Sequence, residues 1–333
     1  MTSPASLESL TRLNREWLHV FVAGPGQGEG LAVALPERGW LLVDGCSTAD
    51  GRFPLEEVLR RWRGPADDPL HAMVLTHPHE DHVEGFAELL EELNPENVAV
   101  AAAAAPGKTL LDVARELIRG VDEAAPERLL SRKVVAAMRA VDTWEDRNPG
   151  RLMGLSDGMS LPLKGRASVE ARAPDAEGIK AFLDAKGLAS RLRKQANHLS
   201  LLLEVRFGTL CLVLAGDLPF LNARGGTPVP TGWETASRRH SHLGSHHGLK
   251  VPHHGSTEAM HPGWMTPRGT DSRAWLVTPY NSSKLPRLTR LEGLPRLLEH
   301  EPEVLLTAIP ASKRVQAEQQ VHGRISIAQL VER

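Results

Sequence analysis

Residues 71–90 read HAMVLTHPHEDHVEGFAELL, a change of hydrophobic period around a knot of metal-binding side chains. The apolar run Met73-Val74-Leu75 predicts the end of a buried strand. Val83, Phe86, Leu89 and Leu90 recur with the spacing of one helix face. His77, His79, Asp81 and His82 lie between them. Side chains alternate along an extended segment, so His77, His79 and Asp81 leave the strand on one face. His82, at the helix entrance, can turn back toward the same space. Imidazoles and a carboxylate converging at the mouth of a rigid strand suit a Zn²⁺-like ion. The alternative is a His-rich surface loop, since the chain holds 15 His in 333 residues.

Outward from this stretch the chain predicts alternating strands and helices with hairpin-like strand pairs at both ends, an α/β (α+β) pattern. Leu18–Ala23 and the LAVAL run read as strands on either side of a Gly-rich turn, GPGQGEG. No Lys-Ser/Thr follows these glycines, which excludes a P-loop. WLLVDGC predicts a buried strand ending at Asp44, and LEEVLRRWR a helix. ENVAVAAAAA and SVEARAP predict further strands, and 176–194 a helix ending in the basic run SRLRK. LSLLLEVRFGTLCLVLAGD predicts two strands turning at Phe207-Gly208 and ending in Gly216-Asp217. LKVPHHGS predicts a short strand leading to His253-His254. AWLVTP, EVLLTA and GRISIAQLV complete the strands, with a helix at LTRLEGLPRLLEH. Residues 1–17 read as a polar lead-in, and 18–333 as one domain with insertions around 109–144, expected to be helical, and 219–247.

Composition narrows the function. A formal net charge of -2 and 41% hydrophobic residues describe an ordinary globular chain without a global basic field. That argues against a tight non-specific DNA binder, though local patches remain open. No run reaches the ~18–20 apolar residues of a membrane span. The amino terminus lacks a signal-peptide pattern, so a cytoplasmic location is expected. Cys46 and Cys211 sit in apolar surroundings and read as reduced core residues.

Several segments together resemble the metallo-β-lactamase superfamily, and within it the hydrolase domain of the competence DNA-uptake protein ComEC. THPHEDH matches the superfamily's H-x-H-x-D-H signature. VAGPGQGEG…LLVDGC is similar to that branch's "DVGQGD…LIDAG", NHLSLLLEV…LVLAGD to its "NxxSLVL…LLTGD", and LKVPHHGSTEAM to its "LKVPHHGSxxS". The resemblance runs over roughly Leu18 to Val331, outside the two insertions.

It implies an αββα sandwich, two mixed sheets flanked by helices, with two divalent ions between them, Zn²⁺ first and Mn²⁺ as an alternative. His77 and His79 would hold one ion, Asp81 and His82 the other, and Asp217 would bridge them, although a helix N-cap is another reading of Asp217. His253 is expected to complete the second ion's shell, leaving His254 to face substrate. For the first ion's third ligand, His198 and Asn197 both remain candidates. The late His of this branch is Leu285 here, and Lys284 stands beside it.

Such a pair of ions activates a water and clamps the attacked and leaving oxygens. The chain is therefore expected to be a metal-dependent hydrolase, with Asp81, Asp217 and His254 carrying the reaction. A phosphodiesterase or nuclease is the first expectation. Single-stranded nucleic acid would be its partner, held by Arg191, Arg193, Lys194, Arg238 and Arg239. The alternatives are a hydrolase of small phosphoesters, lactones or amides, or a subunit of a larger, defence-type assembly.

Overall fold

The computed structural model describes residues 12–330 apart from 25–26, 38, 49, 64–67, 103–108, 111, 114, 116–129, 185–189, 191, 193–194, 221–231, 257–260, 265–272, 281–284, 289–292, 301–303 and 308–324. Two mixed sheets flanked by helices form the αββα arrangement that the resemblance implies.

In chain order the first sheet receives β1 (Leu18–Ala23), β2 (Gln27–Ala34), β3 (Trp40–Ser47), β4 (Leu70–Leu75), β5 (Asn97–Ala101) and β6 (Leu152–Leu155). The second receives β7 (Ser168–Ala173), β8 (Leu202–Phe207), β9 (Leu210–Leu214), β10 (Gly248–Lys250), β11 (Ala274–Val277) and β12 (Val304–Leu306). The last strand, β13 (Ile325–Leu330), returns to the first sheet and pairs antiparallel with β1.

Each sheet changes direction part-way. Strands β1 to β3 are antiparallel, while β3 to β6 run parallel. In the second sheet β7 to β9 are antiparallel and β9 to β12 parallel. Parallel strands need cover on both faces, and β4, LHAMVL, is buried at every residue. One apolar cluster joins the sheets, from Val20, Leu42 and Val74 on one side to Leu203, Leu212 and Leu276 on the other.

The helices follow from local sequence. Helix α1 (Pro54–Trp62) starts on a proline, carries Glu56 and Glu57 in its first turn and Arg60 and Arg61 in its last. It buries Leu55, Val58, Leu59 and Trp62, one stripe at helical spacing. A single turn, α2 (Glu80–Val83), holds the EDHV of the signature, and α3 (Phe86–Leu93) seats Phe86, Leu89 and Leu90 in the core. Burial of each such side chain contributes about 1.5–3 kcal/mol. Helix α4 (Arg132–Arg147) packs on α3, its first turn capped by Ser131 Oγ accepting from the Val134 N–H. Helices α5 (Ala176–Asp184), α6 (Gly232–Arg239) and α7 (Leu294–His300) cover the rest.

Two expectations need correction. Gln27, Gly28 and Glu29 are not turn but the start of β2, paired with Ser47, Cys46 and Gly45. Asp44 does not end β3; the strand continues to Ser47 with Asp44 inside it at φ 59°. The helix expected over 176–194 is described from Ala176 to Asp184, residues 185–189 lie outside the described residues, and Ser190 and Leu192 beyond them are helical; Arg191, Arg193, Lys194 and Lys284 also lie outside the described residues. Within the expected 109–144 insertion, Leu110, Asp112, Val113 and Arg115 are helical, and α4 runs past 144 to Arg147. Among the described residues no helix is long and apolar enough to cross a membrane.

Candidate metal centre

The carboxyl ends of the parallel strands β3, β4, β9, β10 and β11 meet where the two sheets face each other. Fold geometry alone makes this the place for a ligand. Gly216, at φ 47°, lets the β9 end close onto β4: a Cβ there would lie 2.4 Å from Ser200 Oγ and 3.1 Å from Thr76 Cβ. Gly28 does the same in β2, where a Cβ would stand 2.7 Å from the Asp81 carbonyl oxygen. His253 and His254 both take left-handed backbone angles, φ 48° and 53°. Two consecutive non-glycine residues in that region cost on the order of 1–3 kcal/mol each and mark a site held in shape by its surroundings.

Asp81, His82, Asp217 and His254 each place a donor atom within 4.8 Å of the others, and all four are buried. His254 Nε2 lies 3.2 Å from Asp81 Oδ2 and 3.9 Å from Asp217 Oδ2; His82 Nε2 lies 3.3 Å from Asp217 Oδ1. The outer ring nitrogens are fixed. His82 Nδ1–H donates to Asp44 Oδ2 at 2.7 Å, and Asp44 in turn accepts from the Thr76 N–H and Oγ1–H, both at 2.7 Å. His254 Nδ1–H donates to the Thr278 carbonyl at 2.9 Å, with Glu29 Oε2 3.4 Å away. His77 Nδ1 is 3.1 Å from Thr76 Oγ1 and 3.2 Å from Ser200 Oγ. Ser200 Oγ also accepts from the Asp217 N–H at 2.9 Å. Each of these three rings thus turns Nε2 inward.

That arrangement passes a test for a metal. His77 Nε2, His82 Nε2 and Asp217 Oδ1 are buried and make no hydrogen bond. Orphaned buried polar atoms are rare and costly, and here they belong to residues of the sequence signature and face one space. A second ring nitrogen held by a carboxylate or carbonyl is also the usual support of a metal-bound His.

The electrostatics agree. Burial would lower His82, but Asp217, Asp44 and Asp81 raise it well above the ordinary imidazole value. Burial would raise Asp217 and Asp81, yet His82 chief among the imidazoles holds both well below the usual carboxylate range. For His77 burial dominates, with His82 adding to it, and its pKa falls well below normal. His254 is raised because Glu29, Asp217 and Asp81 outweigh its burial. The carboxylates Glu29, Asp44, Asp81 and Asp217 are all buried, so positive charge is what the space attracts.

Of the expected ligands, His77 and His79 lie alongside the four-residue group, ring centroids 5.8 Å apart, and His79 Nδ1 hydrogen-bonds Asp81 Oδ1. His253 is not a member of the group. It is half-buried, its N–H donating to the Gly216 carbonyl at 3.2 Å, and its Nδ1 is buried without a hydrogen bond. His198 and Asn197 sit half-buried in a 3-10 turn, Ala196–Leu199. Among the described residues no group of three His, Cys, Asp or Glu donors at metal spacing includes His198. Arg239 pairs with Asp157 at 2.8 Å, and Arg238 lies 3.7 Å from Glu234. Cys46 and Cys211 are free and buried, their thiols pushed up to about 12 chiefly by burial, and neither belongs to a donor group at metal spacing among the described residues.

Sequence reasoning missed Glu29, Lys250, Thr278 and Tyr280, and gave Asp44 no role. Tyr280 stacks on His254, centroids 4.8 Å apart, and its backbone bridges Leu285, the position where the branch carries its late His. Glu29 and Lys250 were legible only as members of GQGE and LKVPHHGS, motifs whose histidines and glycines drew the attention.

A sequence profile of the Metallo-beta-lactamase superfamily matches residues 24–261. The chain belongs to that superfamily. It is a metal-dependent hydrolase of the metallo-β-lactamase fold. No curated protein matches it in sequence. Similar solved structures include a B3 metallo-beta-lactamase with an active-site glutamic acid, 19% identical over 72% of this chain and 79% of that one, TM-score 0.34. A metallo hydrolase from Ignicoccus hospitalis is 10% identical over 95% of this chain and 100% of its own, TM-score 0.45. An archaeal superfamily protein from Sulfolobus tokodaii is 15% identical over 68% and 75%, TM-score 0.33.

Proposed function

We propose that the protein is a phosphodiesterase, with single-stranded nucleic acid as its substrate class and two divalent ions at the site. One observation carries the reading. The four segments that resemble the ComEC hydrolase domain lie far apart in sequence, yet each delivers a buried group to one space. GQGE brings Glu29, LLVDG brings Asp44, LAGD brings Asp217 and VPHHG brings His254.

Asp81, His82, Asp217 and His254 would hold one ion in this reading. His77 and His79, with Asp217 and a donor from Asn197-His198, would hold the other. This exchanges the expected parts of the His253-His254 pair. His254 Nε2 already lies 3.2 Å from Asp81 Oδ2, while the less buried His253 is left to contact substrate. The donors are imidazoles and carboxylates without thiolate, a set that takes Zn²⁺ and also Mn²⁺. Bound there, such ions polarise a phosphoester and lower the pKa of water toward ~7.

The protein's own part is geometric. Asp44 and the Thr278 carbonyl hold the Nδ1 sides of His82 and His254, so an ion that took the place of the inner proton would meet Nε2 of both rings. Ser200 holds the Asp217 backbone, and Tyr280 keeps the His254 ring from turning. Ordinary surface pairing of Arg238 and Arg239 means that polynucleotide binding rests on few phosphate contacts and weakens steeply with salt.

The test is cleavage of labelled single-stranded DNA and RNA across a salt series, with duplex, a simple diester and a phosphorylcholine ester in parallel. Strand cleavage at low salt supports the reading. Turnover of the small esters with every polynucleotide intact overturns it in favour of a small-phosphoester hydrolase.

A further inference from the structure

Behind the four-residue group lies a cation that the chain supplies itself. Lys250 is wholly buried at the end of β10; its Nζ donates to the Gly216 carbonyl at 3.1 Å, pairs with Glu29, and lies 3.9 Å from Asp217 Oδ1. Glu29 belongs to β2 in the opposite sheet, is equally buried, and accepts from Thr278 Oγ1–H beside His254. Glu29, Asp44 and His82 also bring donor atoms within 4.8 Å of one another, a spacing that takes a metal ion.

A buried ion pair adds little net stability, because desolvation offsets most of the attraction. Its position is more informative. The pair joins the two sheets directly behind the site, touching the peptide before Asp217 on one side and the outer edge of His254 on the other. We propose that Lys250 is a fixed internal cation that holds Glu29 on the His254 ring and closes the Glu29–Asp44–His82 group to metal. Lys250 is thus a positioning residue, and the protein takes up one ion fewer than its buried carboxylates would accept. The inference rests on the metal reading above, since it concerns how many ions the site admits.

Metal content is the readout. Wild type, Lys250→Met, Glu29→Gln and the double variant are saturated with Mn²⁺ alone or Zn²⁺ alone, freed of excess, and analysed by elemental analysis. Lys250→Met is expected to hold one ion per chain more than wild type, because the freed Glu29 joins Asp44 and His82. The double variant, with that carboxylate neutralised, returns to the wild-type number. A folded Lys250→Met at the wild-type number overturns the proposal. Should Lys250→Met fail to fold, Glu29→Gln decides: loss of its hold on His254 weakens metal affinity about 10- to 100-fold, and unchanged affinity overturns the proposal. Wild type that holds no metal under either condition fails the metal reading itself, a result distinct from both.

Discussion

The two halves of the proposed metal centre are built to different standards. On one side Asp81, His82, Asp217 and His254 are buried, and three of them are held from behind by a buried group: His82 by Asp44, Asp217 by Ser200 and His254 by the Thr278 carbonyl. On the other, His77 is buried but the His79 side chain is 41% exposed, and the donor proposed from Asn197-His198 sits in a half-buried 3-10 turn. The first half draws on the single turn α2 and on the chain just past β9 and β10; the second draws on the chain past β4 and on that 3-10 turn. A site of buried donors held from behind is preorganised, and one finished by half-buried groups closes around its ion on binding. The two halves should therefore differ in affinity, the buried one binding first.

The strongest way to break this contrast is Asp217→Ala, because Asp217 touches both halves. We expect loss of activity by at least ~10³-fold, in line with removal of a group central to charge stabilisation, and loss of bound metal, with the circular dichroism spectrum kept. Full metal content in this variant would show that the centre lies elsewhere.

Next in size is the comparison of neighbours. His254→Ala should lose the ion of the buried half, whereas His253→Ala should keep the metal count and lower turnover through a poorer substrate fit. Elemental analysis beside kcat and KM separates the two. The reverse pattern would return the pair to the assignment that the sequence suggested.

That assignment shows what the sequence could and could not reveal. The strands β4, β8, β9 and β13 were legible because long apolar runs of fixed period need no tertiary context. The candidate ligands His77, His79, Asp81, His82 and Asp217 were legible because they share short motifs at strand ends. The choice between His253 and His254 was not. Nearness to the strand end favoured His253, while in the structure His254 brings Nε2 to Asp81 and both residues adopt left-handed φ, an arrangement that no local pattern announces. Glu29 and Lys250 escaped for a related reason. Each is an isolated charge in an apolar strand, and its role exists only when β2 and β10, from different sheets, come together.

The less buried half gives a smaller effect. If its third donor is His198, then His198→Ala weakens the second of two binding steps by about 10-fold or more and leaves the first unchanged, read by titration with Mn²⁺. Asn197→Ala should then be the milder variant. The opposite order assigns the place to Asn197. Equal loss in both binding steps would remove the distinction between the halves.

The smallest effect on metal should come from a buried carboxylate outside the centre. Glu204 on β8 is almost fully buried, and its partners are Arg172 at 2.7 Å, His242 at 3.0 Å and Arg206. None of these is a ligand. Burial would raise its pKa, but hydrogen bonds from Arg172, His242 and Arg206 hold it below the ordinary glutamate value. The sign follows directly. A folded-state pKa below the unfolded one means that Glu204 stabilises the protein fully above the unfolded value, ~4.3, and that this stability is lost as pH falls through the lower, folded value. Glu204→Gln should therefore cost about 1–3 kcal/mol at neutral pH, the penalty for a charged hydrogen-bond network losing its acceptor. The difference in melting temperature from wild type should shrink as the solution is acidified below that window. Metal content and activity at neutral pH should be unchanged in the folded variant. Thermal melts over a pH series, with elemental analysis at one point, check both halves of the claim. A change in metal content would mean that the ion network on β8 and the centre at the strand ends are one coupled unit.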